Sequence, residues 1–441
     1  MINRYSYDPS RPICENDHVL LIDHIKRCFV VKVERNKLIK ICKDKFKVDT
    51  LIGLNYGQIF TKVNNEWIKV NRNDETYKGY WNLLEQDFDD SDALESPISS
   101  DNRTFLDLNS SQKLSADDIN KLKKDINPSE LISKIVQNSE TFQARNQISK
   151  EKYIKRKEFR HLKLFEVGHC NLMSICESYF NGFPHKIGYM RFESLAMMLH
   201  MSNVQFDDRI VVFDHSLGII TGAIAQRLQG TGKIYRLVTR GVSDKIVHEL
   251  GVNNFDNILS IDFNEVMTFC NGATVQLKTS TLDIVGNDEV DSDDGSSNST
   301  EEVVELKSKK RKKETLPGIY PLTKITESDL QDVDVVIGNV SFNKCNKDNS
   351  LVDTYTISLM EIANKFLKND GRFIIFGQHF QPLSHCYSVL TKSSEYINVK
   401  LDETFIREYQ VKPMCTHPII GKYRPCCGFI LSSIKVSNAT L

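Results

Sequence analysis

The sequence predicts an α/β protein in two parts: a small N-terminal β-barrel domain, then a larger domain built on a doubly wound, mostly parallel sheet. Two observations carry this. Up to about residue 72, short β-branched and aromatic runs are separated by polar or glycine turns, the spacing of a small antiparallel barrel or sandwich. Beyond about residue 165, strand-like runs alternate with helical patterns, which implies βαβ units. A length of 441 residues agrees, because one ordinary hydrophobic core rarely grows that large.

Taken in order, the β runs are "RCFVVKVE", "KLIKICK", "DKFKVDTLIG", "QIFTKVN" and "EWIKVNR". From residue 81 to 111 the chain turns acidic and Ser-rich, and 1–111 is expected to form the barrel domain with an acidic loop. Residues 112–165 read as a helical, basic linker. Ser115 with Asp118 makes an S-x-x-D helix start, Pro128 and Ser129 open a second helix, and the stretch 148–163 is densely basic. The third part, 166–441, holds the alternation. "RIVVFD" precedes "GAIAQRLQ", "KIYRLVT" precedes "SDKIVHEL", "DVVIGNV" precedes "TISLMEIANKFLK", and "GRFIIFG" precedes "HCYSVLTK"; "GFILSSIKV" closes the chain. Residues 283–316 interrupt it with an acidic block followed by "LKSKKRKK". A segment so poor in apolar residues is expected to stay disordered and loop out of the sheet.

Composition excludes several classes. No run approaches the ~18 apolar residues of a membrane span, and the first residues carry charges and prolines where a signal peptide has its apolar core. The 11 cysteines include no C-x-x-C pair and the 11 histidines no metal-ligand spacing, so no metal is expected and a reducing compartment is. The net charge of −1 hides strong segregation of charge along the chain.

The stretch "VVFDHSLGIITG", residues 211–222, raises the question of a cofactor. Three apolar residues, an acid, a glycine turn and a helical stretch outline the S-adenosylmethionine loop of Rossmann-like methyltransferases, Asp-x-Gly-x-Gly-x-Gly. Asp214 and Gly218 match, but Ser216 and Ile220 hold the flanking glycine positions. A side chain intruding there should overpack the site at ~1–3 kcal/mol. The next strand should end in an acid for the ribose hydroxyls, yet Thr239 stands near its end; hydrogen bonds to a charged group are worth ~1.5–3 kcal/mol. Together these losses are roughly 4 kcal/mol, about a thousandfold in affinity. After the fourth strand, Asn339 replaces the expected acid, and an amide takes up no proton at neutral pH. The sequence therefore predicts no cofactor-binding and no catalytic residues, the loop being degenerate at Ser216, Ile220, Thr239 and Asn339. Gly218 and Asp214 also have a plain structural reading, as a strand-to-helix turn and its cap.

Four ordered stretches carry a family resemblance. "DTLIGLNYGQIF", "DNRTFLDLNSSQKLSADDINKLK", "SKEKYIKRK" and "REYQVKPMCTHP" resemble passages of the non-catalytic subunit of the eukaryotic tRNA adenine-58 N1-methyltransferase. The likeness covers nearly the whole chain outside 283–316. One departure is Cys415, where the family has an arginine before Thr-His-Pro. The resemblance implies a class I methyltransferase-type second domain and a catalytic partner that binds S-adenosylmethionine. It also implies a heterotetramer with two of each subunit and a shared tRNA surface, with no cofactor on this chain.

Candidate RNA-binding residues are Lys152, Tyr153, Lys155, Arg156, Lys157 and Arg160, where a tyrosine lies among basic groups, together with Arg407 and His417. "KSKKRKK", residues 307–313, matches a nuclear-import patch, so the nucleus is the expected location. Two other functions stay open at this point: an active S-adenosylmethionine-dependent RNA methyltransferase with a divergent site, and a stand-alone RNA-binding or translation factor.

Overall fold

A computed structural model of the chain describes residues 11–23, 27–42, 44–63, 66–70, 112–126, 128–142, 163–239, 243–252, 256–271, 322–340, 350–411, 416–419 and 428–437, with scattered positions between 150 and 161. The acidic stretch at 81–111, the 283–316 insert, and Lys152, Lys155, Arg160 and Cys415 lie outside the described residues.

The N-terminal part contains β1 (His18–Asp23), β2 (Cys28–Lys32), β3 (Leu38–Ile41), β4 (Asp44–Lys47), β5 (Gln58–Val63), β6 (Glu66–Val70) and β7 (Leu164–His169). Five of them form an antiparallel sheet in the order β2-β1-β7-β5-β6, while β3 and β4 pair only with each other. The hairpin packs on one face of that sheet, placing Phe46 edge-on to Phe165 at 5.0 Å and to Phe60 at 5.5 Å. Val19, Leu21, Val48 and Val167 complete this buried core. In place of the expected small barrel, the described residues form a five-stranded sheet with a hairpin cover, β2 and β6 being its edges among them.

Two expectations need correcting here. The run "HVLLID" was not read as a strand, yet β1 pairs with both β2 and β7. The boundary placed between 165 and 166 cuts through β7, which sits at the centre of the N-terminal sheet. The linker 112–165 is therefore an excursion within the first domain, which the chain re-enters at Leu164 before starting the second. Its helices do begin where the capping signals put them. In α1 (Ala116–Asp125) the Ser115 hydroxyl accepts from the Asp118 amide at 3.1 Å and the Asp118 carboxylate accepts from the Ser115 amide, a reciprocal cap worth ~1 kcal/mol. Next comes α2 (Pro128–Gln137).

The second domain begins at α3 (Leu172–Gly182), followed by α4 (Phe192–Ser202), β8 (Arg209–Asp214), α5 (Ile219–Leu228), β9 (Lys233–Val238), α6 (Lys245–Glu249), β10 (Ile258–Asp262) and α7 (Phe263–Asn271). After the insert follow β11 (Val333–Val340), α8 (Ser350–Phe366), β12 (Leu367–Gly377), α9 (Phe380–Lys392), β13 (Tyr396–Glu403), the two-residue strands β14 (Tyr409–Gln410) and β15 (His417–Pro418), and β16 (Phe429–Lys435). The sheet order is β10-β9-β8-β11-β12-β16-β13, parallel from β10 to β12, with β16 antiparallel between β12 and β13. This is the Rossmann-like, class I methyltransferase-type architecture, with a mixed rather than wholly parallel sheet. On one face Ile210 and Val212 pack with Ile220 and Ile224 of α5, and on the other Phe213, Val336 and Phe373 pack with Leu359 of α8. Strand order reverses between β8 and β11, so the crevice where such folds bind ligands lies beyond Asp214 and Asn339.

Candidate functional site

The cofactor loop is closed by its own side chains. Asp214 ends β8 and is 1% exposed. Its Oδ1 accepts from the Ser216 amide at 2.8 Å and from the Ser216 hydroxyl, while its Oδ2 accepts from the Thr221 amide at 2.9 Å and from the Thr221 hydroxyl at 3.1 Å. Both oxygens are committed to the turn and to the first turn of α5, which is the capping role an acid plays at a strand-to-helix junction. Leu217 and Gly218 both adopt left-handed backbone, at φ 57° and 81°.

Gly218 is needed, but by this chain. A Cβ built on it would lie 2.7 Å from Val247 Cγ2 and 3.2 Å from Asp244 Cα and Oδ1. The loop backbone and α6 are in direct contact, and the Ile246 amide donates to the Leu217 carbonyl at 2.9 Å. The close approach that glycine permits in a cofactor loop is taken here by residues 244–247.

Ile220 does something other than expected. It is fully buried in the core between sheet and helices. As the second residue of α5 its side chain turns toward the sheet, so it puts no bulk into the crevice, and the overpacking argument does not hold for it. Ser216 likewise faces inward, onto Asp214. Thr239, just past β9, has its hydroxyl 3.0 Å from His215 Nε2. Burial lowers the His215 imidazole to a pKa of about 4, so the ring is neutral near pH 7. With Phe213, Phe263 and Tyr355 it forms an aromatic group at the end of β8, with centroids 4.3 to 5.5 Å apart.

Sequence reasoning missed Asp244. It lies beyond the strand end where an acid was sought, yet its carboxylate reaches the glycine turn. It is fully buried and pairs with Arg236 of β9 at 2.6 Å, Arg236 being 2% exposed. Burial pushes the Asp244 carboxyl up to about 7 against the opposing pull of Arg236. An acid held this way has no open face for ribose hydroxyls. Asn339 stands beside Asp214 in the β8–β11 ladder; it is fully buried, and its amide has no hydrogen-bond partner among the described residues. Among the described residues, the end of β9 offers no free carboxylate and the glycine turn is packed against α6, so these two elements do not fit S-adenosylmethionine.

The RNA-binding candidates divide. Tyr153 is 8% exposed, packed 5.5 Å from the Phe142 ring with Lys157 Nζ 5.0 Å from its own centroid. A ring buried in this way anchors the segment and is not an exposed contact, which corrects its place among the RNA-binding candidates. Arg156 is exposed and Lys157 half-exposed. Arg407 and His417 are exposed and brought onto one ribbon, where Gln410 pairs with His417, and His417 Nδ1 lies 3.0 Å from the Pro418 carbonyl. Among the described residues no group of His, Cys, Asp and Glu could hold a metal, and no helix is long and apolar enough to cross a membrane.

Comparison with known proteins places the chain. The tRNA (adenine(58)-N(1))-methyltransferase non-catalytic subunit trm6 of Dictyostelium discoideum is 27% identical, over 97% of this chain and 80% of that protein. The subunit of the same name from Mus musculus is 24% identical, over 93% and 86%. Among solved structures, the tRNA (m1A58) methyltransferase TrmI from Aquifex aeolicus is 9% identical with a TM-score of 0.44, covering 97% of this chain and all of its own. The Gcd10p family model matches residues 12–317, well over half the sequence. The chain belongs to the Gcd10p family.

Proposed function

We propose that this chain is the non-catalytic subunit of a tRNA (adenine-58-N1)-methyltransferase. It performs no methyl transfer on its own and holds tRNA for a catalytic partner that binds S-adenosylmethionine. Family membership and the names of the relatives support the reading. The structural observation that carries it is the occupied loop: Asp214 is fully engaged by Ser216 and Thr221, and Asp244 and Val247 fill the space beside Gly218.

The chain binds no cofactor itself, pairs with its partner as a heterotetramer with two of each subunit, and works in the nucleus. Arg156 and Lys157, together with Lys152, Lys155 and Arg160 outside the described residues, contact the tRNA backbone, and Arg407 and His417 contribute from the ribbon. Reconstitution tests the reading. The purified chain with tRNA and S-adenosylmethionine should give no methyl transfer, the catalytic partner alone little, and the mixture full activity. Methyl transfer by this chain alone would refute it.

A further inference from the structure

The β3–β4 hairpin concentrates positive charge on one face. Its ladder pairs Leu38 with Lys47, Ile39 with Phe46 and Lys40 with Lys45. Strand alternation turns Ile39, Ile41 and Phe46 toward the core, Ile41 and Phe46 being 2% exposed. Leu38, Lys40, Lys45 and Lys47 are left exposed on the outer face. Lys40 and Lys45 are therefore direct cross-strand neighbours in solvent, a like-charge pairing that weakens a sheet. None of Lys40, Lys45 and Lys47 forms an ion pair among the described residues.

The hairpin's own carboxylate cannot relieve this. Asp44 is shared by Lys62 and Lys163, each at 2.6 Å. Lys163 ends the basic stretch 148–163, and its carbonyl accepts from the Thr61 hydroxyl at 3.1 Å and the Lys62 amide at 3.2 Å. Lys62 of β5 and Lys163, about a hundred residues apart in sequence, thus already take up the carboxylate of Asp44. In a chain with a net charge of −1 this is a local accumulation and not an overall bias. Lysines kept opposite one another, against the stability of their own ladder, fit a polyanion. Ammonium groups on flexible stems suit the phosphate backbone, which is held by charge without base readout.

We propose that the outer face of the β3–β4 hairpin, through Lys40, Lys45 and Lys47, tracks the tRNA phosphate backbone, beside Lys163, which pairs with Asp44 of the same hairpin. The inference rests on the tRNA-holding reading above.

The test uses the assembled complex of this chain with its catalytic partner. Lys40, Lys45 and Lys47 are replaced by glutamine, and tRNA binding is measured at several salt concentrations. A control triple replaces Lys324, Lys392 and Lys400, exposed lysines of the second domain. Each phosphate contact contributes ~0.7–0.9 to the slope of log affinity against log salt. The hairpin triple should flatten that slope by about 2 to 3 and weaken binding to all tRNA sequences alike, with the control unchanged. Its thermal midpoint should stay the same or rise, because the like-charge pair is gone. A slope that does not change, or that changes equally in the control, overturns the proposal. Loss of complex assembly in the hairpin triple also overturns it, since the face would then hold a protein. The broader reading fails separately, if the catalytic partner without this chain binds tRNA as tightly as the complex does.

Discussion

Replacing Gly218 by alanine separates a structural glycine from a cofactor glycine. The new methyl group would meet Val247 Cγ2 at 2.7 Å and the Asp244 backbone at 3.2 Å, in a residue already at φ 81°. A left-handed backbone costs a residue with a Cβ ~1–2 kcal/mol, and forcing a methyl group into packed surroundings costs ~1–3 kcal/mol. The sum, ~2–5 kcal/mol, corresponds to a drop of roughly 4–20 °C in thermal midpoint at ~2–4 °C per kcal/mol. Val247→Ala removes the nearest contact, so G218A should cost less in a V247A background, and the double-mutant cycle reads that coupling. Thermal unfolding of the complex measures the first effect, and calorimetric titration of S-adenosylmethionine should find the complex's affinity unchanged. A G218A variant with an unchanged midpoint and weaker cofactor binding would give the opposite answer, because Gly218 would then be facing a cofactor and not α6.

Three further outcomes follow from the same geometry. Arg236→Ala leaves the buried Asp244 unpaired and should cost ~3–5 kcal/mol, whereas replacing both by apolar residues of similar size should recover most of it in denaturant titrations. His215 has a folded pKa of about 4 against an ordinary 6.5, so the unfolded chain takes up its proton first and the stability His215 contributes is lost as pH falls from about 6.5 to 4; Asp244, raised to about 7, acts with the opposite sign, and the difference between the wild-type and His215→Gln stability curves isolates the histidine. Deleting residues 283–316 should leave assembly and methylation in vitro intact, since shortening a loop changes closure entropy little, and should shift the protein out of the nucleus by imaging.

The second domain was legible because its strands are near-continuous apolar runs separated by helical stretches. "RIVVFD" and "GRFIIFG" are strands because both faces of the sheet are covered. What escaped was long-range or mixed in pattern. β7 is recognisable only through its pairing with β1 and β5, more than a hundred residues away in sequence. β13, "YINVKLDE", is an edge strand whose charges and one buried residue mask its alternation. At the site, the role of Asp214 as a cap was readable from its position before the turn. The orientation of Ile220 was not, because it depends on the phase of α5, and neither was Asp244, which reaches the glycine turn only through the packing of α6. Tyr153 read as an RNA contact among basic residues, but its neighbour Phe142 lies far enough upstream that local sequence could not show the ring to be covered.

Whether the glycine loop of this chain is empty of S-adenosylmethionine is open to direct measurement. Calorimetric titration of the cofactor into the purified complex of this chain with its catalytic partner measures the number of sites directly. One site per pair of subunits is expected, abolished by substitutions in the partner's glycine loop and unaffected by Asp244→Asn in this chain. Two sites per pair, or a site that survives destruction of the partner's loop, would contradict it.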